Sequence, residues 1–104
     1  MSRVLALLAV ILGAAACTDS APTSALAQRG RQVYLGQCIA CHSPDPAQAG
    51  PVGPPVKGSS RDLLEAKILK ATYPPGYRPK RPTAVMPAQP AVAPDIEALA
   101  EFLK

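Results

Sequence analysis

Proline limits what this chain can fold into. Thirteen of its 104 residues are proline, and twelve of them fall between Pro44 and Pro94. Proline cannot donate to a strand ladder, so this density excludes a sheet over the second half of the chain. The length leaves no room for several βαβ units, which excludes a parallel α/β fold. What remains is one small domain of short helices joined by proline-rich loops. Its core has few large side chains to draw on, with no Trp, one Phe and three Tyr. Domains of this size usually complete their core with a disulfide, a metal or a cofactor.

The first residues read as an export signal. Behind Arg3, the uncharged apolar run from Val4 to Ala16 is too short for a bilayer span, which takes about 20 residues. It fits the apolar region of a signal peptide covering residues 1–16. The run ends in Leu12-Gly13-Ala14-Ala15-Ala16-Cys17, which resembles a bacterial lipobox with Ala14 where Leu is usual. In that reading Cys17 is acylated and becomes the first mature residue. Cleavage after Ala16 by the general signal peptidase, or later after Ala27, is the alternative, with Cys17 a spare thiol in the first case. Cys17 has no evident partner in an exported chain, which favours the lipid anchor. Residues 17–24 then form a polar tether, and residues 25–104 form the folded domain. The expected location is the periplasm, with a membrane anchor if Cys17 is lipidated.

The chemistry is concentrated in Cys38-Ile39-Ala40-Cys41-His42. C-x-x-C-H is the attachment signal of a c-type haem. Two thiols three positions apart reach the two vinyl groups on one edge of a porphyrin, and the next residue then offers an imidazole to the iron. Three other readings compete. A thioredoxin-like dithiol shares the C-x-x-C but opens a helix after a strand, and no such strand is evident. A structural zinc needs four ligands, and adjacent Cys41 and His42 suit a tetrahedron poorly. A structural disulfide is the third. His42 is the only histidine, so a second histidine ligand from the same chain is impossible. Met86 is the only methionine after Met1 and sits in the proline-flanked loop Ala84-Val85-Met86-Pro87-Ala88. A thioether is the usual sixth ligand of an electron-carrying c-type haem. A gap-filling methionine, a lysine ligand or an open site are its alternatives.

Three helices are expected. Leu26, Gly30, Val33 and Tyr34 recur at helical spacing behind a capping Ser24, and this helix runs into Cys38. Ser59-Ser60-Arg61-Asp62 fits a capping pattern before a stripe of Leu64, Ile68 and Ala71, and Tyr73-Pro74-Pro75-Gly76 is expected to end that helix. A third begins at Pro94, with Asp95 and Glu97 suited to its first turn and Ile96, Leu99, Ala100 and Leu103 on one face. Gly30 is expected to admit a second backbone close by, with Phe102 at the crossing. Proline-rich loops, Ser43–Gly58 and Pro74–Ala93, join the helices and can hold fixed paths because proline lowers the entropy of the unfolded chain.

Over Ala25 to Lys104 these residues resemble the class I monohaem cytochromes c. Gly30, Tyr34, Cys38, Cys41 and His42 are similar to that family's G-x-x-x-[FY]-x-x-x-C-x-x-C-H run, and Gly53-Pro54-x-Val56 to its G-P-x-L loop. Met86-Pro87 resembles the distal Met-Pro, and Leu99-x-x-Phe102-Leu103 the C-terminal helix. The resemblance implies an all-α cytochrome c fold wrapped around one haem c. It implies thioethers from Cys38 and Cys41, axial ligation by His42 and Met86, and a carbonyl at Pro54 that accepts from the His42 ring.

A six-coordinate His/Met iron has no open position for a substrate, so the implied role is electron transfer, not catalysis. Two arrangements stay open. One is a carrier, free or lipid-tethered, between a donor dehydrogenase and a terminal oxidase. The other is the electron-accepting subunit of a periplasmic dehydrogenase. The first predicts a monomer, the second a stable hetero-complex. Without residues 1–16 the chain keeps ten basic and seven acidic side chains, a formal charge of +3 that two haem propionates would nearly cancel. Nucleic-acid binding does not fit an exported chain of such modest charge. Arg78, Lys80 and Arg81 form the only basic cluster, read either as a solvated, propionate-facing edge or as a docking patch for an acidic redox protein.

Overall fold

The computed structural model describes residues 23–104. The expected signal peptide, Cys17 and the start of the expected tether lie outside them. The order of elements is α1 (Ala25–Gln37), α2 (Arg61–Leu64), a π-helical turn (Glu65–Leu69), a 3₁₀ segment (Pro90–Asp95) and α3 (Ile96–Leu103). No strand forms among the described residues. The architecture is the all-α one expected, three helices and two long loops.

α1 begins where the side chain of Ser24 accepts from the Ala27 N–H at 3.0 Å, filling an N-cap that the helix cannot satisfy itself. Its inward face is Ala27, Gly30, Val33 and Tyr34. Leu26 departs from the expected stripe: it is 47% exposed, and Ala27 takes the inward place. The helix packs across α3 at Gly30, where the small inward residues let the backbones meet. A methyl on Gly30 would overlap the Ala98 carbonyl and crowd Phe102 Cβ. Tyr34 stacks obliquely on Phe102 beside this crossing, with ring centroids 5.5 Å apart. An ion pair from Arg29 to Asp95 (3.0 Å) closes the other side. That pairing holds the Arg29 guanidinium above its ordinary pKa, chiefly through the hydrogen bond.

The second helix differs from expectation at both ends. Ser60, not Ser59, is the N-cap, accepting from the Leu63 N–H at 3.1 Å. Ser59 instead donates to the Val56 carbonyl and fastens the preceding loop. After one α turn the chain widens into the π-turn, which keeps Leu64 and Ile68 buried. Ala71 is not part of the stripe. It is exposed, with φ of 52°, and acts as the left-handed residue that ends the helix before Tyr73-Pro74-Pro75-Gly76 is reached. The third helical region also starts earlier than expected. Pro90, with no N–H to lose, opens the 3₁₀ segment inside what sequence assigned to loop, and the α-helix proper begins at Ile96.

Val33, Tyr34, Leu64, Ile68, Val92, Ile96, Leu99 and Leu103 make the core. The first loop is tied to the C-terminus, with the Gly58 N–H donating to the Leu103 carbonyl and Lys57 Nζ to the Lys104 carbonyl (2.9 Å). The second is tied at its end, where the Gln89 N–H donates to the Ile68 carbonyl.

Two substitutions test these backbone assignments. Gly30→Ala gains about 1 kcal/mol in helix propensity but forces α1 off α3, and overpacking of that kind costs about 1–3 kcal/mol. The haem-loaded variant is expected to melt several degrees lower. Ala71→Gly relieves a left-handed conformation worth roughly 1 kcal/mol and is expected to leave the melting temperature unchanged or raised. A Gly30→Ala protein as stable as the parent would contradict the close crossing.

Candidate functional site

The end of α1 delivers the C-x-x-C-H segment as a tight turn. The Cys38 N–H still donates to the Tyr34 carbonyl (3.0 Å), and the Cys38 carbonyl then accepts from Cys41 (3.3 Å) and His42 (2.9 Å). Tyr34 fastens the turn from below, its hydroxyl donating to the Ser43 carbonyl. Its phenol lies above the ordinary pKa, first through burial and then through Cys38 and Asp45 nearby, so the proton it donates is firmly held. Burial likewise pushes the Cys38 thiol up. Cys38 is half-buried, Cys41 is exposed, and the two are not bonded to one another.

The Gly50–Pro55 loop folds back onto this turn. The Cys41 carbonyl accepts from both Val52 (3.1 Å) and Gly53 (2.8 Å). Gly53 is thereby pressed against the His42 imidazole, where a Cβ would overlap Cε1 and Nδ1. The next carbonyl, Pro54 O, lies 3.0 Å from His42 Nδ1. A carbonyl can only accept, so Nδ1 is the donor in this bond, and in the neutral tautomer that it selects Nε2 is the bare nitrogen. The ring is thus clamped on its face by Gly53 and along its edge by Pro54, with its basic nitrogen free. The family resemblance pointed to Pro54. It did not show why Gly53 is glycine, which needs the third dimension.

His42, both cysteines and Met86 line a single open cleft. Tyr34, Leu64, Ile68, Leu99 and Leu103 belong both to the core and to the cleft wall, so the cleft lies within the core. Met86 is half-buried and packs against the same core. Of the basic cluster, Lys80 and Arg81 line the cleft and Arg78 does not. The π-turn adds Lys67, which sequence had not singled out, with its ammonium 4.3 Å from the centre of the Tyr73 ring. Tyr73 and Tyr77 stack at 5.3 Å and also line the cleft. No carboxylate is among the lining residues, so the charge of the cleft suits a ligand that brings its own acids. An apolar cavity with a bare imidazole nitrogen, a thioether, two cysteines and a cationic rim fits a haem. Among the described residues no three His, Cys, Asp or Glu side chains converge as a zinc site would need.

Fold and site together define a single-haem c-type cytochrome. The chain belongs to the family described as cytochrome c oxidase, cbb3-type, subunit III, whose model matches residues 25–103. It is therefore a monohaem class I cytochrome c, an electron carrier and not an enzyme, and its cofactor is covalently bound haem c. Searches of curated proteins and of solved structures returned no match.

Two variants probe the clamp. Gly53→Ala is expected to turn the His42 ring and move its Nδ1–H NMR resonance away from the hydrogen-bonded position. Tyr34→Phe is expected to cost about 0.5–1.5 kcal/mol of stability at neutral pH. A raised phenol pKa contributes stability that is complete below the unfolded value near 10 and is lost as pH rises through the folded value. The parent is therefore expected to lose stability more steeply than Tyr34→Phe above about pH 10. Parallel stability profiles for the two proteins would contradict the assignment.

Proposed function

We propose that Cys38 and Cys41 hold the haem through thioethers, that His42 Nε2 and the Met86 sulfur are its axial ligands, and that the Pro54 carbonyl orients His42. The observation that carries this reading is that the only histidine and the only described methionine line one apolar cleft with both cysteines. The bound haem supplies reversible one-electron transfer. The protein contributes the rest. Pro54 and Gly53 hold the imidazole in one tautomer and one orientation, which raises its basicity as a ligand. The apolar wall excludes water and favours the less charged, reduced state. With His42 and Met86 both held to the metal, the chain would leave no position there for a substrate, and the chemistry supplied would be electron transfer alone.

The rim is suited to docking. Ile39, Val52 and Val85 are the large apolar side chains left exposed beside the cleft, at 37%, 49% and 64%. Lys80 and Arg81 add positive charge there. A redox protein with an apolar contact ringed by acids fits this face. The family's description supports a terminal oxidase as the acceptor. A carrier serving an oxidase is thus favoured over the electron-accepting subunit of a dehydrogenase. We further propose that residues 1–16 direct export and that Cys17 carries the lipid. The capped start of α1 at Ala25 leaves seven residues between them, a reach of at most about 25 Å. The domain would work close to the membrane surface.

Optical spectra of the haem-loaded protein test the ligands. The oxidised parent is expected to show the weak long-wavelength methionine–iron band. Met86→Ala is expected to lose it and to lower the reduction potential by on the order of 100 mV, a fraction of the ~0.8 V range that axial ligation commands. A variant that keeps the band would contradict ligation by Met86.

A further inference from the structure

The second loop carries Met86 with little to hold it. Between Tyr77, which closes a turn onto the Pro74 carbonyl, and Gln89, which is tied to Ile68, no backbone hydrogen bond involves residues 78–88. Pro79, Pro82 and Pro87 remove three of the donors. Among the described residues one hydrogen bond does reach this stretch: Lys80 Nζ donates to the Pro55 carbonyl at 2.8 Å. It spans the cleft from the methionine-bearing loop to the histidine-bearing loop, since both partners line the cleft.

Its acceptor is significant. Pro55 directly follows Pro54, whose carbonyl accepts from the His42 ring. With φ fixed at both prolines, only ψ at each remains free, so the two neighbouring carbonyls are closely coupled. Lys80 in turn lies between Pro79 and Pro82, on a stretch just as stiff. Resting on the His42/Met86 reading, we propose that Lys80 is a positioning residue: its bond to Pro55 latches the methionine loop to the histidine loop and sets how firmly Met86 stays in place. The lysine touches neither reacting atoms nor metal in this role. It acts through the loop. Two observations set it apart from an ordinary surface lysine. It makes the sole hydrogen bond of an eleven-residue loop, and its partner adjoins the carbonyl that orients the histidine.

The test uses the full haem-loaded protein with three variants. Lys80→Met keeps the stem and removes the donor, Lys80→Arg keeps a donor, and Lys57→Met removes a similar lysine-to-carbonyl bond made outside the cleft. Two readouts are taken. One is the affinity of the ferric protein for imidazole, followed by loss of the methionine–iron band. The other is the backbone order of Thr83 to Met86 by NMR relaxation. For Lys80→Met, imidazole is expected to bind about three- to tenfold more tightly, the factor that one net hydrogen bond represents. The order parameters are expected to fall from the rigid value of about 0.85. Lys80→Arg should restore both, and Lys57→Met should change neither. Unchanged order in Lys80→Met would overturn the latch. Lower order with parental imidazole affinity would overturn its bearing on Met86. A parent protein without the methionine–iron band would overturn Met86 ligation itself, and with it the role given to Lys80. That failure shows before any lysine is changed.

Discussion

The core of this protein closes around a cleft, not on itself. Tyr34, Leu64, Ile68, Leu99 and Leu103 present one side to their neighbours and the other to the cavity that holds His42 and Met86. A chain without tryptophan and with a single phenylalanine has too little apolar bulk to fill that space. The covalent haem c of its family is therefore as much a core element as a redox centre. The elements depend on it in this sense. α2 and the π-turn together span nine residues, and neither would persist without a surface to pack on.

The helices provide the frame and the loops provide the chemistry. α1 and α3 lock at Gly30 and Ala98, which fixes the direction in which α1 leads into Cys38. From there the site is built from carbonyls. Cys38 O shapes the cysteine turn, Cys41 O gathers Val52 and Gly53, Pro54 O sets the imidazole, and Pro55 O receives Lys80. Proline makes this arrangement workable. At Pro54 and Pro55 it narrows the backbone freedom of the acceptor while contributing no donor that would have to be satisfied. The Gly50–Pro55 loop is thus a firm holder for the imidazole.

Much of this was legible in the sequence. The C-x-x-C-H spacing, the lone Met86 and the Gly53-Pro54 pair are local signals, and local signals survive in one dimension. Helix existence was legible for the same reason. The errors fall where tertiary context decides. Leu26 shares helical spacing with Val33, yet at the first turn of α1 it is left exposed while Ala27 turns inward. Ala71 continues the Leu64 stripe on paper, but the π-turn shifts the phase by one residue, and nothing in Glu65–Leu69 announces a π-turn. Lys67 entered the cleft by that same shift. Pro90 reads as a loop residue by composition, although a proline also suits the first position of a 3₁₀ segment.

The central claim is that the cofactor completes the fold, and the most direct measurement is the far-ultraviolet circular dichroism of residues 25–104 with and without haem attached. The haem-loaded chain is predicted to show full helical signal and one cooperative unfolding transition. The same chain with both Cys38 and Cys41 replaced by alanine, purified free of haem, is predicted to show little helix and no cooperative transition. A haem-free chain with the helical signal and cooperative melting of the loaded one would contradict the account, because its core would then close without the ring.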